Sequence, residues 1–99
     1  MSRSILERSL VDVSERLKRL RAELAVIDEQ AAFLEDEADD ARLRAMVAET
    51  PLVDAEARDA RRHADAIGRH RETLLQSIAA LGKEQDTLLD RMAAELSAS

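Results

Sequence analysis

Apolar residues recur along the first half of the chain in alternating steps of four and three, without a gap. A repeat of about 3.5 residues is the coiled-coil repeat, which places every member on one side of an α-helix. The pattern therefore predicts one long helix with a side built to pack against another helix. The members of this first stripe are Leu6, Leu10, Val13, Leu17, Leu20, Leu24, Ile27, Ala31, Leu34, Ala38, Ala41, Ala45 and Ala48.

A second stripe with the same period runs along the second half of the chain, so the partner helix is expected within the same chain. Its apolar members are Ala57, Ala60, Ala64, Ile67, Leu74, Ile78, Leu81, Leu88 and Met92. Arg71 and Gln85 stand at the same phase and interrupt the stripe with polar side chains. Together the two stripes predict an all-α fold, an antiparallel two-helix coiled-coil hairpin.

The only strong break between the stripes is the segment around Thr50 and Pro51. Threonine is a good N-cap, and proline suits the first position of a helix while pushing the residue before it out of helical geometry. A new helix is therefore expected to begin near Pro51. The sequence predicts a single hairpin over residues 1–99, with helix one at about 3–48, a turn at about 49–53 and helix two at about 51–97.

A proline-kinked continuous helix that pairs with a second chain is the alternative fold. Charge pairing distinguishes the two. In a hairpin, flanking positions whose numbers add to about 100 face each other, which places Arg16 beside Glu84. A parallel homodimer would instead place Arg16 beside Arg21, a repulsive contact. The register therefore favours the hairpin.

An acidic stretch of helix one faces an arginine-rich stretch of helix two in this register. We expect ion pairs between the two stretches, which set the orientation of the helices more than their stability, because exposed pairs contribute only about 0–1 kcal/mol. The acidic residues are Glu35, Asp36, Glu37, Asp39 and Asp40, and the arginines are Arg58, Arg61, Arg62, Arg69 and Arg71.

Composition predicts self-association. The chain has 99 residues with a single aromatic, Phe33, and its apolar residues are largely Ala and Leu, so one hairpin buries little area per residue. Helix two also carries leucines and glycines at intervals of seven beside its main stripe, and we expect this strip to join two hairpins in a homodimeric four-helix bundle. The candidate dimer or partner surface is Val11, Ala25, Ala32, Leu75, Ala79, Leu89, Ala93 and Leu96.

Two other interpretations of this surface stay open. The same residues would also fit a small helical subunit of a larger assembly, and a scatter of exposed leucines and small residues needs no partner at all.

Catalytic and metal chemistry is not indicated. The chain has no cysteine, and its two histidines, His63 and His70, are seven residues apart, too far along a helix to share a metal ion. There is no Gly-rich phosphate loop and no nucleophile-elbow serine. We expect a non-enzymatic protein with no catalytic, cofactor-binding or metal-binding residues.

Charge and hydropathy argue against nucleic acid and membrane partners. The net charge is −6, acidic residues interleave the arginine clusters, and aromatic residues for base stacking are lacking. The first residues carry charges where a signal peptide would be apolar, and no apolar run has membrane-spanning length. We expect a cytoplasmic protein, and its Ala- and Arg-rich, Lys-poor composition suggests a GC-rich bacterial genome.

Asp36, Asp39 and Ala41 form an Asp-x-x-Asp-x-Ala pattern on helix one. With this pattern, the hairpin resembles the coiled-coil domains of the Gre and DksA-type factors, which enter the secondary channel of bacterial RNA polymerase and present acidic tips near its active-site magnesium. The resemblance implies an alternative function, a transcription regulator that presents its turn to the polymerase. The candidate turn contacts are Glu49, Leu52, Val53 and Asp54.

Overall fold

Two α-helices make up the chain in a computed structural model, which describes residues 2–98. Helix α1 covers Arg3–Ala48 and helix α2 covers Pro51–Ala98. Glu49 and Thr50 connect them, and the described residues include no strand. The predicted all-α helical hairpin is confirmed, and the helix ends lie within one residue of those expected from the sequence.

Ser2 caps the start of α1. Its Oγ accepts a hydrogen bond from the backbone N–H of Ile5 at 3.3 Å, and its carbonyl accepts one from the N–H of Leu6 at 3.0 Å. A serine side chain in this place satisfies one of the four N–H groups that have no partner at the start of a helix. This cap was not predicted from the sequence.

The turn between the helices takes two residues. The N–H of Glu49 donates to the carbonyl of Ala45 at 3.1 Å, and Glu49 itself has a φ of 53°, the left-handed conformation that often ends a helix. Thr50 then starts α2, because its Oγ1 accepts the N–H of Val53 at 3.3 Å. The prediction of Thr50 as an N-cap followed by Pro51 in the first helical position is confirmed.

All the buried hydrophobic residues that the structure describes belong to the two predicted stripes. They are Leu6, Val13, Leu17, Ile27, Ala38, Ala41, Ala64, Leu74, Leu81 and Leu88. Ala48, the last predicted member of the first stripe, is exposed instead. It is the final residue of α1, where the chain leaves the helix for the turn.

The helices divide by their contacts into two compact units. The terminal unit comprises the chain up to Glu23 and from Leu74 onward, and the turn unit is Leu24–Thr73. In the terminal unit, large aliphatic side chains make a core of Leu6, Val13, Leu17, Leu81 and Leu88, with Leu10, Leu20, Ile78 and Met92 packed against it.

Both polar interruptions of the second stripe find a partner on α1. In the terminal unit, Gln85 Nε2 donates to Ser14 Oγ at 3.1 Å. In the turn unit, Arg71 Nε donates to Asp28 Oδ1 at 2.5 Å. A polar side chain beside a helix-helix core destabilises the fold less when its hydrogen bonds are satisfied. Such pairs also fix the register of the two helices.

The turn unit has a core of small side chains. Ala38, Ala41 and Ala64 are each 3% exposed. Arg61 Nη2 pairs there with Glu35 Oε1 at 2.6 Å across 26 residues, while Arg71 pairs with Asp28 across 43 residues. The separation in sequence grows with distance from the turn, as it must in an antiparallel pair, and both contacts lie within about one helical turn of the expected register.

Candidate interaction surfaces

The strip predicted on α2 lies largely at the surface of the terminal unit. We use the name α2 strip for Leu75, Gly82, Leu89 and Leu96, which share a face of the helix because they are seven residues apart. Leu89 and Leu96 are each 50% exposed, whereas Leu75 and Gly82 are half-buried. Ala79 and Ala93, the small candidates beside the strip, are exposed.

One residue of α1 joins this strip. Val11 is 57% exposed, and it lines the same surface groove as Leu89, with a volume of about 430 Å³. The rest of the groove is formed by Leu10, Ser14, Glu15 and Lys18. The structure thus brings Val11 and Leu89 together, and the groove combines apolar with charged lining residues, as protein-protein contacts commonly do.

Ala25 and Ala32, the other two candidates, are exposed residues of α1 in the turn unit. Each presents only a methyl group, so their contribution to a contact is small.

An arginine-lined groove in the turn unit was not foreseen from the sequence. Its volume is about 600 Å³, and it is lined by Ala38, Asp39, Arg42, Ala57, Arg58, Arg61 and Arg62. Two of these arginines are engaged in ion pairs. Arg61 bonds Asp65 at 3.1 Å as well as Glu35, and Arg62 bonds Asp59 of its own helix.

The Arg61 pair shifts the titration of both its members. The hydrogen bond from Arg61 lowers the pKa of Glu35 below its ordinary value of 4.5, and the same bond raises the pKa of Arg61. Of the expected pairs between the acidic and arginine-rich stretches, Glu35 with Arg61 forms. The expectation fails for Arg71, which pairs with Asp28, seven residues N-terminal to Glu35 and outside the predicted acidic stretch.

The candidate turn contacts are solvent-accessible. Leu52 is 69% exposed, Glu49 and Asp54 are exposed, and Val53 is half-buried. Three large apolar residues of α1 that were not predicted as contacts are also exposed: Leu43 at 55%, Met46 at 65% and Val47 at 86%. Alanines occupy the stripe in this part of α1, so the larger side chains stand outside it.

The Asp-x-x-Asp-x-Ala pattern is divided between surface and core. Asp36 and Asp39 are exposed, and Ala41 is 3% exposed among the core residues. The two carboxylates are therefore accessible, while the alanine serves the packing of the hairpin.

Residues 2–98 show neither a metal-binding cluster nor a membrane-spanning stretch. No three histidine, aspartate or glutamate side chains within that range come together to hold a metal ion. Neither helix has a stretch apolar enough to cross a membrane.

No protein-family model, no curated protein and no solved structure matches this chain. The resemblance to the Gre and DksA-type factors therefore remains a hypothesis that depends on the hairpin and the short acidic pattern alone.

Proposed function

We propose that this protein is a non-enzymatic coiled-coil scaffold or interaction module that works by self-association of its terminal unit. The proposal is supported by the groove that Val11 and Leu89 share. These are two half-exposed aliphatic side chains from different helices on one side of the hairpin. Apolar side chains that converge in this way are typical of a contact surface, whereas single exposed leucines are ordinary.

The energetics favour a second hairpin as the partner. Fully burying a leucine or valine side chain stabilises by roughly 1.5–3 kcal/mol, so covering the exposed half of Val11, Leu89 and Leu96 contributes about 1 kcal/mol each. Two identical hairpins would supply these side chains twice. A four-helix bundle is the usual architecture when two such hairpins pack together.

A pair of matched variants tests this proposal. Leu89→Glu places a charge in the groove and is expected to convert the dimer to a monomer, measured by size-exclusion chromatography with light scattering. Ile5→Glu is the control, because Ile5 is 48% exposed, lies outside the groove and occupies the third residue after the Ser2 cap, where glutamate is favourable. A wild-type chain that is monomeric at high micromolar concentration contradicts the proposal.

A second candidate function is supported by the exposure of the turn. Leu52, Glu49 and Asp54 are available there for a partner, as in a transcription regulator that inserts its tip into RNA polymerase. Asp54→Ala is expected to keep the helical circular dichroism spectrum and to abolish any effect on transcription in a purified polymerase assay. Asp12→Ala, an exposed aspartate of the terminal unit, is the matched control. Equal activity of the two variants would refute the turn hypothesis.

A further inference from the structure

The α2 strip has a small residue among large ones, an order that favours one relative orientation of two copies. Gly82 leaves a gap in the strip, since nothing lies within 4 Å of the position that its Cβ would occupy. Leu89, one heptad later, projects as a half-exposed side chain. A gap and a projection seven residues apart on one helix face are the two parts of a knobs-into-holes contact.

An antiparallel arrangement of two α2 helices places the gap of one copy against the projecting leucine of the other. When the α2 strip lies antiparallel to itself, Gly82 of each copy faces Leu89 of the other, and Leu75 faces Leu96. A parallel arrangement would place Gly82 against Gly82 and Leu89 against Leu89, which leaves a void at one level and crowds the next. Voids and overpacking both cost stability, so the steric pattern favours the antiparallel arrangement.

Charges beside the strip agree with the same arrangement. Lys83 and Asp90 each follow a strip residue by one position, so they lie on one flank of the strip, and both are exposed. In the antiparallel arrangement Lys83 of each copy faces Asp90 of the other, and the two-fold symmetry makes this pair twice. Flanking ion pairs of this kind determine orientation in coiled coils.

We infer that two copies of this chain associate through antiparallel contact of their α2 strips, with the two-fold axis near Asp86. This inference rests on the proposed function and adds the geometry of the contact. Asp86 is exposed beside the strip, and the axis would bring it close to its own copy. Like charges placed opposite each other weaken an interface, so we expect association in the micromolar range and not a tight dimer.

Engineered cysteines test the geometry directly, because the natural chain has none. Gly82→Cys and Leu89→Cys are made as separate proteins and oxidised alone or as an equimolar mixture. A disulfide requires Cα atoms within about 7 Å. Equivalent strip positions are offset by seven residues in the antiparallel arrangement, or about 10 Å at 1.5 Å per residue, so each protein alone should cross-link poorly.

The expected result is a covalent dimer in the mixture, at least fivefold more abundant on a denaturing gel than in either protein alone. Cross-linking of Leu89→Cys alone, with no gain on mixing, would overturn the antiparallel geometry. Gly82 has room for the new side chain and Leu89 is at the surface, so both variants are expected to fold.

A charge exchange gives a second measurement. Lys83→Glu and Asp90→Lys are each expected to weaken the wild-type dimer about five- to tenfold at low salt, and the double variant to restore it. The single changes shift the net charge in opposite directions, so general repulsion does not produce this result. A wild-type monomer would overturn the proposed function itself, whereas a dimer without rescue would overturn only the geometry.

Discussion

At the scale of single residues, the turn shows how local chemistry fixes the ends of the helices. Thr50 caps α2 through its hydroxyl, and Pro51 follows in the one helical position that tolerates its missing N–H. Both roles follow from residue type, so the sequence was enough to predict them. The left-handed conformation of Glu49 was not predictable in the same way, because glycine or asparagine is the usual residue there.

Glu49→Gly is expected to stabilise the hairpin. A residue with a Cβ pays a steric cost of about 1–2 kcal/mol in the left-handed region, and glycine does not, although glycine costs about 0.4–1 kcal/mol more unfolded-state entropy. The net gain should be about 0.5–1 kcal/mol in urea denaturation. Glu49→Ala keeps the Cβ and should give no gain. Equal changes in the free energy of unfolding for the two variants would contradict this, because they would show that the effect comes from losing the glutamate side chain and not from the backbone conformation.

At the scale of the helices, hydrophobic periodicity was enough to find the core but not the polar contacts. Every buried hydrophobic residue among residues 2–98 lies in a stripe that the sequence shows, because a helix-helix contact selects one face. Which residues of α1 bond to Gln85 and Arg71 depends on the exact register of the two helices and on the length of each side chain. The expected register located these partners only to within about one helical turn, and the reach of the side chains then selects among the residues there, which is why the Asp28 pair was missed.

The pair between Glu35 and Arg61 predicts a pH effect that belongs to the contact of the two helices. Since folding lowers the pKa of Glu35, the pair stabilises the hairpin above the ordinary carboxyl pKa of 4.5, and this contribution is lost as the pH falls through the lowered value. Glu35→Gln should therefore lower the melting temperature at pH 7 and have less effect at pH 3.

Thermal melts of wild type and Glu35→Gln over that pH range, followed by circular dichroism, measure this difference. Asp36→Gln is the matched control, because Asp36 is an exposed neighbour that forms no ion pair within residues 2–98, so its replacement should change stability little at either pH. A constant difference between wild type and Glu35→Gln at all pH values would contradict the ion-pair account.

At the scale of the whole molecule, the hairpin and the α2 strip were predictable from the sequence, and the structure adds that Val11 of α1 lies beside Leu89 of the strip. Intervals of seven on α2 indicated that Leu75, Leu89 and Leu96 share a face. That Val11 lines a groove with Leu89 depends on the rotation of α1 against α2, which the main stripes determine only approximately. The exposed apolar residues near the turn were not predicted as a surface because they stand outside the coiled-coil stripe of α1.

Sedimentation equilibrium of the wild-type protein is the simplest test of self-association. The measurement should run from low to high micromolar concentration at physiological salt. We expect the average mass to rise from the 11.0 kDa of one chain toward twice that value, with a micromolar dissociation constant. A mass that stays at 11.0 kDa through the whole range would contradict the claim and leave the α2 strip without a second copy to cover it.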